Sequence, residues 1–288
     1  MAPPRWATRV ILGVVGAVFA IPILAMVEFT LRDRERGHSF GHWLDLLAPA
    51  DPAAYAPLWT GATNSLILAV VTVAIVLLLL APTMILIQLR FPRLKRAFEF
   101  VCLLPISIPA IVLVVGLAPV YLVIGRAVGT GIWPLAFAYG ITVLPFASRA
   151  IQANLDAVDL VTLANAARTL GASWPRVVVG VIAPNLRVGL MLASLISIAV
   201  VLGEFTIASL LNRQNLQTSL LVVSKIDPYV AVIMSLLSLV LVFVLLSIVD
   251  RVARRISAIS TGADRTAASP AAASTAAASP AATSTAAS

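Results

Sequence analysis

The sequence predicts an all-α integral membrane protein of about six transmembrane helices. Of its 288 residues, 60% are hydrophobic and only 11% are charged, with a mean hydropathy of +1.03. A soluble domain carries roughly a quarter of its residues charged. The apolar residues come in long blocks, and the charges collect in the gaps between them. Crossing the hydrocarbon core as a helix takes about 20 apolar residues. Six blocks meet or approach that length: 8–28, 63–87, 98–124, 131–148, 187–211 and 229–249.

The block at 8–28 is too long for the apolar part of a cleaved signal peptide, and no small-residue cleavage site follows it. It reads as a retained signal-anchor. The block at 98–124 holds Pro105, Pro109 and Pro119, each of which removes a helix hydrogen bond and tends to kink the helix. Prolines of this kind are common in membrane helices, and they also mark broken helices packed along a solute route. Both readings stay open. The block at 131–148 is the shortest. Residues 149–186 form the largest polar loop, long enough for two short helices lying along the membrane face. From 257 to 288 the chain is almost wholly Ala, Ser, Thr and Pro, with no apolar face to bury, so the sequence predicts a disordered tail after a transmembrane domain of 1–256.

Basic residues orient the spans, since loops on the cytoplasmic side carry an excess of Lys and Arg. With the N-terminus inside, fourteen of the 20 basic residues fall on inner segments. These are Arg5 and Arg9; Arg90, Arg93, Lys95 and Arg96; Arg149, Arg168, Arg176 and Arg187; and Arg251, Arg254, Arg255 and Arg265. Arg32, Arg34, Arg36, Arg126, Arg213 and Lys225 fall outside. The cluster Arg32–Arg36 goes against the rule, although Asp33 and Glu35 lie within it. Both termini are expected in the cytoplasm. In so apolar a chain, the net charge of +8 reports membrane topology and not nucleic-acid binding.

The inner loop reads Asn165-Ala166-Ala167-Arg168-Thr169-Leu170-Gly171, then Val181-Ile182-Ala183-Pro184. Two alanines on a short helix let a partner surface approach closely. Gly171 suits a helix C-cap, Pro175 prevents continuation, and Pro184 breaks the approach to the next span. The product is a compact knob of small residues. The pattern resembles the cytoplasmic signature of binding-protein-dependent ABC importer permeases: Glu-Ala-Ala, three residues, Gly, nine residues, then Ile-x-Leu-Pro. The spacing of the alanine pair, glycine and proline is kept, while Asn165, Val181 and Ala183 depart from the usual Glu, Ile and Leu. Asn64-Ser65-Leu66 with Thr72, the run Leu104 to Pro109, and Gly203-Glu204-Phe205 with Ser209 look like further family stretches. The resemblance spans about residues 8–250 and is nearest to the subgroup for polyamines, iron, thiamine, molybdate or aminophosphonates.

That resemblance implies the type I importer fold with a cytoplasmic coupling helix, in a prokaryotic cytoplasmic membrane. It implies Asn165, Ala166, Ala167, Leu170, Gly171 and Pro184 as the part that docks on a partner ATPase. It further implies a second permease subunit, usually a different chain in the polyamine subgroup, and an extracytoplasmic binding protein that delivers the solute. The chain has no Gly-x4-Gly-Lys-Ser/Thr phosphate loop, so ATP and magnesium are expected on the partner and no cofactor here. No arrangement for nucleophilic catalysis is evident. His38 and His42 have i, i+4 metal spacing, but lacking a third ligand they read as loop residues. The single Cys102 makes no internal disulfide.

Glu204 is the one acid clearly inside a block, about seven residues from its outer end, so at ~1.5 Å per residue it sits roughly 10 Å deep. Either a partner such as Arg213 or the second subunit offsets its burial, or it faces the solute route with Thr206 and Ser209. The second reading, with the resemblance, makes polyamine the first choice of solute. Iron, thiamine, aminophosphonate or sugar are the alternatives. A secondary transporter is a lesser one, expected to show an internal repeat and paired intramembrane charges.

Overall fold

The computed structural model describes residues 4–33, 37–48 and 51–267. Contacts divide the chain into residues 1–245 and residues 246–288, and the described part of the latter is helical to Ala267. The first unit opens with α1 (Arg5–Leu31), a two-residue hairpin pairing Arg32 with His38 and Asp33 with Gly37, and α2 (Gly41–Leu47). α3 (Pro52–Ile75) runs through a π-turn at Val76–Leu80 into α4 (Ala81–Arg90). Then follow α5 (Lys95–Ser107), α6 (Ala110–Val128) and α7 (Ala136–Ala157). α8 (Leu160–Thr169), α9 (Trp174–Val177), a second π-turn at Val178–Ile182 and α10 (Ala183–Asn185) lead to α11 (Arg187–Gly203). α12 (Thr206–Leu210), α13 (Leu216–Val223) and α14 (Pro228–Ala267) complete the described chain.

Among the described residues, five helices are long and apolar enough to cross a membrane, and a sixth if the bent pair Trp174–Asn185 and Arg187–Gly203 counts as one span. The protein is an all-α, multi-pass membrane protein. The blocks read from the sequence shift at several ends. The second span begins at Pro52, not 63, because Asp51 accepts from the Ala53 amide at 3.0 Å and Pro52 takes the first helical turn. The 98–124 block is two helices. Ile108, before Pro109, is extended (φ −102°, ψ 120°), as the clash with a proline ring favours, so Pro109 makes the break while Pro105 and Pro119 lie inside helices. The fourth span continues to Ala157, not 148, so the connecting loop starts at Val158 and not at 149. The 187–211 span ends at Gly203. Residues 257–267, read as tail, continue α14, and 268–288 lie outside the described residues.

Small residues build the core. Without a hydrophobic drive between helices in lipid, close approach and packing decide association. Gly189, Ala193, Ser197 and Val201 form one buried ridge of α11. It faces α7, where Tyr139, Val143, Ala147 and Ile151 are fully buried. A methyl on Gly189 would fall 2.9 Å from Asn154. α3 presents Gly61, Ser65 and Ala69 in the same i, i+4 manner to α13 and α11. α1 differs: none of its apolar stretch is buried within the chain. Its C-terminal end is held by Trp43 of α2, which donates to the buried Thr30 hydroxyl at 3.2 Å.

Candidate functional site

Asp159 starts α8, its carboxylate accepting from the Thr162 amide at 3.2 Å. The Thr162 hydroxyl first, and its amide second, hold the Asp159 carboxyl below its ordinary value. The helix ends in a Schellman closure: the Gly171 amide donates to Arg168 O and the Ala172 amide to Ala167 O, both at 3.0 Å. Gly171 has φ +85°, a conformation that costs glycine nothing. Arg168 reaches back, donating to Ala172 O at 3.0 Å with its guanidinium 5.5 Å from the Trp174 ring.

The helical period then divides the motif. Leu160 and Ala164 are buried and Ala167 is half-buried against the core, while Asn165 and Ala166 face outward. Leu170 is 88% exposed, and Gly171 and Pro184 are exposed too. The alanine pair therefore has one member packed inside and one presented. After Pro184 the chain bends by 77° at Leu186 into α11. Leu160, Ala164, Val177, Ile182 and Leu186 share one core cluster with buried residues of α7 and α11.

At the far end of α11 lies a polar hinge. Glu204 is not within a helix. It is extended (φ −83°, ψ 125°), and its carboxylate accepts from the Ile207 amide at 3.0 and 3.1 Å. Thr206 is half-buried and Ser209 exposed. Among the described residues no ion pair joins Glu204 to Arg213, whose guanidinium lies toward Gly125 of α6. The hinge is braced by residues that sequence reading missed. Buried Asn215 donates to Tyr139 Oη at 3.1 Å and to Glu204 O at 2.6 Å, and closes a capping box with Thr218. The Leu216 amide donates to Ser65 Oγ at 2.8 Å. Gln214 donates to Pro57 O at 2.9 Å. The run Asn-x-x-Thr at 215–218 carries a helix-start signal, but its tie to Tyr139, 76 residues away, has none.

A hollow of about 850 Å³ lies between α5, α7 and α11, bordered by Ser107, Phe146, Arg149, Leu192 and Ile196 among others. Arg149 is exposed and makes no ion pair or hydrogen bond among the described residues. On the same side, Lys95 Nζ lies 2.7 Å from Asp156 Oδ1, which also accepts from Gln152 at 2.8 Å, tying the start of α5 to the end of α7. Among the described residues no three His, Cys, Asp or Glu gather to hold a metal. His42 stacks on Tyr229 with centroids 4.0 Å apart, and His38 lies 3.6 Å from Glu28.

A search of curated proteins finds no match to this chain. A family model described as the binding-protein-dependent transport system inner membrane component matches residues 83–258, from α4 through the hinge and into the last helix. That stretch covers more than half of the sequence, and the chain belongs to this family of ABC importer permeases.

Proposed function

We propose that this chain is the transmembrane subunit through which an ATP-driven importer moves a small solute by alternating access, with α8 as the element that docks in a separate ATPase. The supporting observation is the outward face of α8: a capped helix of ten residues presenting Asn165, Ala166 and Leu170 while Leu160 and Ala164 anchor it to the core. Family membership makes the chain a transport component and not itself an enzyme. It also implies ATPase and binding-protein partners in general. On this reading ATP and magnesium bind the partner, a second permease completes the route, and a membrane domain of about 1–256 sits in a prokaryotic cytoplasmic membrane with both termini inside. ATP-driven closure pushes α8, and α7 and α11 carry the motion to the hinge at Glu204.

Polyamine is the first choice of solute, supported by the subgroup resemblance and by Glu204 with Thr206 and Ser209 at the hinge. A second reading, an anionic solute such as an aminophosphonate, is favoured by unpaired Arg149 beside the hollow. The test is purification of the tagged chain from native membranes, followed by reconstitution. An ATPase should co-purify, and uptake should require ATP and a loaded binding protein. A ligand screen of that binding protein separates polyamines from anions. Uptake driven by an ion gradient without ATP would mean a secondary transporter.

A further inference from the structure

The groove between α4 and the segment Trp174–Ile182 has chemistry that the transport reading does not use. Pro82, Ile85, Leu86, Leu89 and Arg90 recur at three- and four-residue steps, so they form one stripe of α4. Trp174 and Val178, one turn apart, form the opposite wall, and the groove measures about 450 Å³. Leu86 and Trp174 remain 54% and 42% exposed. The slot is apolar along its length and charged at one end, where Arg90 closes α4. Lys95 is paired with Asp156 and Glu99. The Arg90 side chain has no hydrogen bond or ion pair among the described residues, which leaves uncompensated positive charge at the end of the apolar slot.

We infer that this groove binds an anionic phospholipid, its phosphate at Arg90 and an acyl chain along Leu86 and Ile85 against Trp174. Charge complementarity selects the occupant: an apolar channel ending in basic residues at a helix terminus matches an amphiphile with a negative head, and tryptophan belongs at such interfaces. The consequence lies behind Trp174. Its ring is already engaged by the Arg168 guanidinium, 5.5 Å away, at the end of α8. A chain seated on Trp174 presses it toward Arg168 and stiffens the end of the helix that docks. This coupling effect rests on the proposed role of α8, whereas lipid occupancy does not.

The test uses the complex assembled with its ATPase. Phosphatidylglycerol retained through purification is counted by native mass spectrometry. ATP hydrolysis stimulated by the loaded binding protein is measured in nanodiscs of phosphatidylcholine with and without phosphatidylglycerol. Because both leaflets carry the anionic lipid, the outcome does not depend on orientation. Arg90→Ala should lower retention roughly fivefold and remove the phosphatidylglycerol dependence while leaving the rate in pure phosphatidylcholine unchanged. Leu86→Trp, which fills the slot and keeps the charge, should do the same. Equal retention in wild type and both variants overturns the site. Inorganic phosphate substituting for phosphatidylglycerol shows a free-anion site and overturns the lipid. Loss of subunits from the Leu86→Trp complex shows a protein interface and overturns it as well. Retention that falls in both variants while stimulated hydrolysis in every preparation ignores lipid overturns the lipid's effect on α8 and leaves the lipid site standing.

Discussion

Ala166→Trp and Ala167→Trp test the docking role of α8, because the two neighbours have opposite surroundings. Ala166 faces outward, so indole there costs the isolated chain no more than about 0.5 kcal/mol. Ala167 packs against the core cluster, and added volume at such a site costs about 1–3 kcal/mol. If α8 enters a close-fitting cleft, the same overpacking cost of about 1–3 kcal/mol falls on the complex for Ala166→Trp, a loss of roughly 5- to 150-fold in ATPase affinity. Leu170→Ala adds a check in the other sense. At 88% exposure the residue does little for the chain, but an anchor buried on docking would lose about 1.5–3 kcal/mol of association. The assays are thermal unfolding of the solubilised chain, pull-down of the ATPase, and uptake. Ala166→Trp should unfold like wild type yet lose ATPase and uptake, whereas Ala167→Trp should lose stability as well. An Ala166→Trp chain that binds ATPase and transports normally would sink the docking reading.

Gly61→Ala should destabilise the chain by about 1–3 kcal/mol or more. Its methyl would fall 2.6 Å from Asn215 O and 2.7 Å from Ser219 Cβ, and against Ser219 Oγ. Ser219→Gly in the same chain should recover part of the loss, and a wild-type melting temperature for Gly61→Ala alone would contradict this packing. Glu204→Gln keeps an oxygen for the Ile207 amide, so the hinge and the assembly should survive while uptake of a cationic solute falls. Unchanged uptake would deny Glu204 a role in the route. For orientation, a cysteine at Ser39 should react with impermeant thiol reagents added to intact cells and one at Ala172 should not. Native Cys102 is buried and gives little background, and outside labelling at 172 would reverse the topology.

Span existence was legible in the sequence because immersion in lipid is a local demand: an apolar block of sufficient length must be helical wherever its neighbours lie. The C-cap at Gly171 was legible because it is local too: glycine supplies the conformation its helix end needs. The N-cap at Asp159, which takes the Thr162 amide, emerged only in the structure. Which proline breaks a helix was not legible, since Pro105, Pro109 and Pro119 differ only in what surrounds them. The division of Ala166 from Ala167 likewise required knowing which side of α8 meets the π-turn at Val178–Ile182 and α9. Glu204 looked like a buried acid in search of a distant partner, but the chain turns there and the carboxylate takes a nearby amide, with Asn215 and Tyr139 bracing the turn from other elements. In lipid a helix is apolar on every side, so hydropathy reports that it is embedded and carries no sign of which face meets protein. That choice depends on small residues and hydrogen bonds matched between distant helices, such as Gly61 with Ser219 and Gly189 with Asn154, and only the tertiary structure decides it.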